Sequence, residues 1–411
     1  MVKARYQLIM PLRKYQKFPG NNRFWCCGAL MSSRQVSILI FCAIIIVVVS
    51  ALFFAFDARF LVVNVEPLGV GVIFPVLGVL GLYFSMSFLF KTGCIDSGIL
   101  PRALPDEIAY MQSQGDEEPA GSGRTLGAPA RYKTVQHMGQ KVKLKWCVTC
   151  NLWRPPRASH CGLCNNCYET FDHHCPAVGN CVARRNYRYF YLFLTTIAVT
   201  GVYMMACNIT VIVLASKKMG FGDALKTYPG SVIEFCVSGL AVISVSGLSC
   251  MHTWLIARME TTNEDIKGTF NPRKQGRTVH NPYRRRNCCL NFLFVICGPF
   301  PPSLIDRRGD MTEEYQAALE GDNSSYGATS SVPKLPPESP SPVPPNPTPP
   351  PLAPDPTSEV ISMTPTASME VRTEGEEGVV QVTVERSDSS HGVGEDETQQ
   401  LILDRAGHGQ Q

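Results

Sequence analysis

The chain has 411 residues, a formal net charge of +4 and 45% apolar side chains. That mild basicity gives no support to a nucleic-acid partner, and the average conceals three chemistries: apolar stretches, a basic cysteine-rich middle and a proline-rich acidic tail. Seventeen cysteines would suit a disulfide-bonded secreted protein, but the basic N-terminus shows no signal peptide and the densest cysteines alternate with histidines at metal-binding spacing.

In chain order, residues 1–34 form a basic segment with Lys3, Arg5, Arg13, Lys14, Lys17, Arg23 and Arg34 and no acidic residue. Apolar stretches near 35–56, 68–90, 189–215 and 232–256 follow. Each reaches the ~20 residues that cross a bilayer as a helix. The run Ile44-Ile45-Ile46-Val47-Val48-Val49 has no polar face, which argues for lipid rather than a protein core. Small residues in the fourth stretch (Ser238, Gly239, Ser244, Ser246, Gly247) predict close helix packing. The 57–67 loop carries only Arg59 against Asp57 and Glu66, whereas residues 91–188 contain thirteen Lys or Arg and a basic run, Arg284-Arg285-Arg286, follows the fourth stretch. Positive charge marks the cytosolic side, so both termini and the long central loop are expected there. Zinc-holding thiolates require the same reducing compartment.

The predicted architecture is therefore an all-α polytopic membrane protein. Transmembrane helices 1 and 2 occupy 35–90, a cytosolic Cys-rich domain 91–188 (core 145–185), helices 3 and 4 residues 189–256, and a C-terminal segment 257–310. From 321 to 411 the composition cannot bury enough apolar surface to fold. Thirteen prolines between Pro333 and Pro356 offer polyproline ligands for SH3-type modules beside the plainer reading of a solvated tail.

The chemistry concentrates between Cys147 and Cys181. Seven cysteines (Cys147, Cys150, Cys161, Cys164, Cys167, Cys175, Cys181) and three histidines (His160, His173, His174) share thirty-five residues. Structural zinc takes four such ligands and closes its shell. Two Cys3His centres consume six cysteines and two histidines and leave one Cys/His pair, a candidate activated nucleophile. A purely structural zinc module is the plainer reading. The unused pair and the position between two membrane spans count against it, and the membrane tether counts against a zinc-finger nucleic-acid binder.

The run Asp172-His173-His174-Cys175-Pro176, set in C-x2-C-x9-H-C-x2-C-x2-C-x5-D-H-H-C-x5-C, resembles the DHHC protein S-acyltransferases, membrane enzymes that palmitoylate cysteines. The resemblance covers roughly residues 20 to 310. It implies one zinc on Cys147, Cys150, His160 and Cys167, and another on Cys161, Cys164, His174 and Cys181. It makes Cys175 the nucleophile, His173 its base and Asp172 the group that orients His173. Palmitoyl-CoA is the implied donor, and Arg184, Arg185 and Arg188 are candidate contacts for its phosphates, or simply inside-positive flanks of the third span. Thr261, Thr262 and Glu264 fit the T-T-x-E motif, and Asn281 opens the N-P-Y motif. Asn180-Cys181-Val182 and the run from Asn263 to Gly268 are similar to the branch of the yeast Ras palmitoyltransferase and its animal counterparts. That implies Golgi or endoplasmic-reticulum membranes, a small Golgi-associated accessory protein, and Ras-type substrates with membrane-proximal cysteines. Cys26, Cys27, Cys288 and Cys289 lie near membrane spans, where palmitate is often attached.

Three departures stand out. Ala177 occupies the place of the family's usual Trp after D-H-H-C-P, Asp96-Ser97-Gly98 replaces D-P-G, and Arg286 replaces a Gly. Ala177 leaves a second reading open: a catalytically impaired membrane zinc scaffold or adaptor.

Overall fold

The computed structural model describes residues 12–104, 107, 108, 110, 111, 132–276, 279–313, 315 and 316. The tail from 321, with its SH3-type motifs, lies outside the described residues.

Among the described residues, four helices are long and apolar enough to cross a membrane, and the protein is a multi-pass membrane protein. They contain α1 (Val36–Leu52), α2 (Leu68–Gly93), α3 (Tyr187–Met219) and α4 (Pro229–Arg258). A helix satisfies its own backbone groups, which lipid cannot do. Ile44 and Val48 are more than half exposed, as a lipid-facing surface requires. The first span does not stop near residue 56. It continues through a π-helical turn, Phe53–Ala58, and a last helical stretch, Arg59–Asn64. Asp57 explains this. Its carboxylate turns inward, fully buried, and accepts from the Ser231 hydroxyl and the Asn208 amide, so a charged residue that reads as a loop signal is housed within the bundle. The fourth span packs on the third, with Ser238 buried between helices. A Cβ at Gly201 on α3 would stand 2.5 Å from Val242, while Gly247 faces open space.

A hairpin of β1 (Arg23–Trp25) and β2 (Leu30–Ser32) precedes α1. Between α2 and α3, β3 (Tyr132–His137), β4 (Gln140–Cys147) and β5 (Leu152–Trp153) form one antiparallel sheet. Two further hairpins follow: β6 (Ser159–Cys161) with β7 (Asn166–Tyr168), and β8 (His173–Cys175) with β9 (Asn180–Val182). Strands of two or three residues do not hold themselves together. Their cores are built largely from the cysteines: Cys161, Cys164 and Cys181 pack with Met31, Ile99 and Tyr168, and Cys147, Cys150 and Cys167 with Leu100 and Leu152. After α4 come α5 (Thr262–Lys267) and the apolar α6 (Cys288–Cys297), which packs on α4.

Candidate active site

Strand alternation sorts the Asp172–Cys175 run. Successive side chains on a strand point to opposite faces, so in β8 His174 faces one way and His173 and Cys175 the other. His174 lies opposite Cys181 in the register, and His160 opposite Cys167. Two donor sets result: Cys147, Cys150, His160 and Cys167, and Cys161, Cys164, His174 and Cys181, the donor atoms within each set lying within 4.8 Å of one another. His160 Nδ1 is 3.5, 3.5 and 3.7 Å from the three sulfurs of its set. His174 Nδ1 is 3.7, 3.4 and 3.4 Å from those of the other. Tetrahedral zinc with ordinary Zn–S and Zn–N bonds separates sulfur from nitrogen by about 3.6 Å, so both sets fit zinc. Neighbouring residues His160 and Cys161 serve different centres, which interlocks the hairpins. His174 Nε2 meets Gln35 Oε1 at 3.0 Å, so a residue just before α1 fixes the tautomer of a metal-side histidine.

On the opposite face of β8, His173 Nδ1 donates to Asp172 Oδ2 at 2.6 Å, and the ring lies near enough to Cys175 for each to shift the other's protonation. Burial alone would push the His173 pKa down. The Asp172 hydrogen bond and the Cys175 thiol outweigh it and lift the pKa to about 9. Burial would push the Cys175 thiol up, but the His173 ring and the backbone N–H groups of Val178 and Ala177 bring it below its ordinary value. The pair is thus biased toward thiolate and imidazolium. The turn carrying Cys175 is wedged in place: Val178 packs with Leu39, Leu89 and Phe190, and Gly179, at φ +61°, lies so close to α1 that a Cβ would stand 3.2 Å from the Val36 Cα. Ala177 itself is exposed.

The T-T-x-E motif divides its labour. Thr261 caps α5, accepting from the Glu264 N–H while Glu264 Oε2 accepts from the Thr261 N–H, a reciprocal capping box. Thr262 donates through its N–H to Asp172 Oδ1 and through its hydroxyl to Oδ2, both at 2.8 Å. Arg157 grips Glu264 with two bonds of 2.8 and 2.6 Å and lies over the Tyr283 ring. The free carbonyls at the end of α4 are also capped. Asn281 donates to Arg258 O and Asn291 to Ala257 O.

The arginines expected to meet coenzyme A phosphates each have a partner within the protein. Arg185 donates to the buried Asp96 carboxylate and to Pro301 O, and Asp96 Oδ1 accepts from the Gly98 and Ile99 N–H groups; Arg185 therefore ties the turn after α2 to the C-terminal segment. Arg188 donates to Gly298 O at 2.6 Å, and Arg184 pairs with Glu169. Arg184 and Arg188 still line a cavity of 540 Å³ bordered by Arg157, Tyr187, Thr261 and Tyr283. A second, apolar cavity of 80 Å³ lies among the four spans, between Ile46, Val49, Leu82, Thr200, Met204 and Val242. Cys26, Cys27, Cys288 and Cys289 are all exposed, and the β1–β2 turn is held by Arg307, which donates to Gly28 O and Ala29 O.

Sequence reasoning missed His252. It is fully buried on α4, with its ring centroid 6.0 Å from that of His173 and 5.0 Å from that of Phe190. The available signal was a histidine in an apolar span whose other charged residue between 232 and 256 is Glu234.

These features define a class: a polytopic membrane protein bearing a thiol–imidazole–carboxylate relay on a two-centre metal module at one end of its helical bundle. A family model for DHHC palmitoyltransferase matches residues 140–269. The chain is 46% identical to Palmitoyltransferase ZDHHC14 of Mus musculus over 325 residues, which is 79% of this chain and 65% of that relative. It is 43% identical to Palmitoyltransferase ZDHHC9 of Homo sapiens over 330 residues, 80% of this chain and 87% of the relative. To Palmitoyltransferase ZDHHC18-A of Danio rerio it is 46% identical over 303 residues, 74% and 63% of the two chains. The matched region thus spans just under two thirds of the mouse and zebrafish relatives and most of the human one. The chain belongs to the DHHC palmitoyltransferase family.

Proposed function

We propose that this chain is a protein-cysteine S-palmitoyltransferase that carries palmitate from palmitoyl-CoA to protein cysteines through an acyl-enzyme on Cys175. The observation that carries the reading is the relay itself, in which Asp172, held by Thr262, orients the His173 ring that meets Cys175. His173 takes the Cys175 proton, and the thiolate attacks the thioester carbonyl. Collapse of the tetrahedral adduct expels the coenzyme A thiolate, which takes the proton back from His173. A substrate cysteine, deprotonated by His173, then attacks the acyl-enzyme and releases Cys175. Thioester replaces thioester at each step, so neither is strongly uphill.

The Cys3His sets would hold two zinc ions, which supply cross-links for the hairpins; closed shells leave no position for substrate. Moving a chain of fourteen methylenes from water to hydrocarbon is worth on the order of 11 kcal/mol, but palmitoyl-CoA already rests in the bilayer. The cavity among the spans therefore serves mainly to orient the thioester. Arg184 and Arg188, which line the larger cavity, are the arginines we assign to coenzyme A phosphates. The basic flanks support a cytosolic site and cytosolic termini. Resemblance to the Ras-palmitoyltransferase branch supports Golgi or endoplasmic-reticulum membranes, Ras-type substrates and a small accessory protein. The exposed cysteine pairs, Cys26-Cys27 and Cys288-Cys289, are reachable for palmitoylation.

The scaffold reading rested on Ala177. Its contribution beside Cys175 comes from a backbone N–H, which every residue except proline supplies, so the enzyme reading is favoured. Purified protein incubated with labelled palmitoyl-CoA should acquire hydroxylamine-sensitive label. Cys175→Ser should abolish it while zinc content stays at two per chain. Full labelling of that variant, or loss of its zinc, would reassign Cys175 as a bystander or a ligand.

A further inference from the structure

His252 is buried beside His173 with half of its hydrogen-bonding capacity unused. Its Nδ1 lies 3.1 Å from the Tyr187 hydroxyl, and its Nε2, shielded from solvent, has no partner among the described residues. The tautomer follows from the network. A neutral imidazole carries hydrogen on one nitrogen and a lone pair on the other. If Nδ1 carried the hydrogen, the Tyr187 O–H would lack an acceptor, because it has no other hydrogen-bond partner among the described residues, and Nε2 would lack a donor. If Tyr187 donates to Nδ1, a single group stays unmatched: an N–H at Nε2. Buried polar groups are nearly always paired, so a lone buried donor on a ring packed beside His173 is a group waiting for an acceptor.

The reaction creates such an acceptor. When the Cys175 sulfur forms its bond to the thioester carbon, the C=O π pair moves onto oxygen. When the adduct collapses, that pair returns, the C–S bond to coenzyme A breaks, and the leaving sulfur takes the electron pair and then the proton from His173. Nearby donors are already engaged. The Ala177 and Val178 N–H groups favour the Cys175 thiolate, His173 Nδ1 is bound to Asp172, and both Thr262 donors point at Asp172. Phe190, edge-on to both His173 and His252, contributes no donor.

We infer that His252, through Nε2–H, donates to the thioester carbonyl oxygen and stabilises the oxyanion formed on it, with Tyr187 fixing the tautomer. The inference rests on the acyl-enzyme reading of Cys175. Removing one donor of this kind typically slows the chemical step about 10²- to 10³-fold.

The test uses the full-length protein in lipid nanodiscs with palmitoyl-CoA labelled with ¹³C at the carbonyl. It compares wild type with His252→Phe, which keeps a ring but no donor, His252→Gln, which keeps a donor but no ring, and Tyr187→Phe. Single-turnover acylation at saturating donor, KM, zinc content and the infrared carbonyl stretch of the acyl-enzyme are measured. His252→Phe is expected to acylate about 10²-fold more slowly or worse, with KM and zinc unchanged and the carbonyl stretch moved to higher frequency. His252→Gln should retain more activity than His252→Phe. If the ring matters only for packing, that order reverses; a Phe variant faster than the Gln variant, or an unmoved carbonyl stretch, overturns the inference. Should His252→Phe lose zinc, Tyr187→Phe decides the matter, since it keeps the His252 ring. A slowing of roughly three- to tenfold with a partial shift of the stretch supports the inference, and no change in either refutes it. A wild type that carries no label on Cys175 refutes the transferase reading itself, separately from any variant.

Discussion

Asp172 is the residue on which the relay depends, because both of its oxygens are in use: Oδ1 accepts from the Thr262 N–H, Oδ2 from the Thr262 hydroxyl and from His173. The sign of the pH effect follows. An adjacent anion stabilises imidazolium, so His173 holds its proton up to about pH 9, whereas the Cys175 thiol ionises below its ordinary value. Thiolate and imidazolium coexist between these limits, and the acylation rate should fall on the alkaline side near pH 9. Asp172→Asn removes the anion. The alkaline limb should then move down toward the ordinary histidine value of about 6.5, with a plateau lower by on the order of 10²–10⁴. Initial rates between pH 5 and 10 for the two forms test this, and an unmoved limb would detach Asp172 from the base. Ala177 belongs to the same turn but not to the same machinery. Its exposed side chain leaves no hole for an aromatic ring to fill, contrary to what its place in the sequence suggests. Ala177→Trp should therefore add an interfacial anchor, lowering KM for membrane-borne donor while single-turnover acylation at saturation changes less than about threefold, within the small effect typical of surface substitutions.

At the scale of elements, the end of α4 organises the site. Ala257, Arg258 and Met259 expose carbonyls that Asn291, Asn281 and Arg157 fill, and α5 begins at once with the cap whose second threonine holds Asp172. The T-T-x-E string was legible in the sequence, because a capping box is local. Its buried partner Arg157 was not, since it lies 107 residues away and nothing in its neighbourhood distinguishes it from other basic residues. That the ligands suffice for two Cys3His sets was legible from their count, while the division of residues between the sets came from the family resemblance. Gln35 was not, because a glutamine ahead of an apolar helix looks like any polar flank. Two variants probe these links. Glu264→Ala strands the Arg157 guanidinium in a site where both side chains are about nine-tenths buried. It should cost about 3–5 kcal/mol, read as a lowered Tm at equal zinc content, and Arg157→Met with Glu264→Met should recover much of the loss. Gln35→Leu should weaken zinc at the His174 centre by about 10- to 100-fold while the His160 centre keeps its ion, a difference visible by metal analysis across a chelator titration.

At the scale of the whole molecule, two kinds of cohesion meet. The spans were readable because lipid imposes length and composition. What joins them was not: Asn208 bridges the buried carboxylates of Asp57 and Glu234, and such tertiary partners leave no local pattern. The Cys-rich segment is held differently. Its strands are two or three residues long beyond the β3–β4 hairpin, and the thiols that would bind zinc make up much of its core. Structural zinc contributes about 10–16 kcal/mol in small metal-dependent folds, far more than hairpins of this size supply. Stripping the metal should therefore undo the segment and spare the bundle, whose hydrogen bonds are internal to each helix. Treated with a strong chelator, the protein should lose acylation, and a protease should cut between 140 and 185. Helical circular dichroism, dominated by the four spans, should fall by less than about a tenth, because metal sustains folding only where its ligands lie. Collapse of the helical signal in step with zinc release would mean that the contacts of Val178 and Gly179 with α1 and α2 carry the metal's stabilisation into the membrane, and that the two parts fold as one unit.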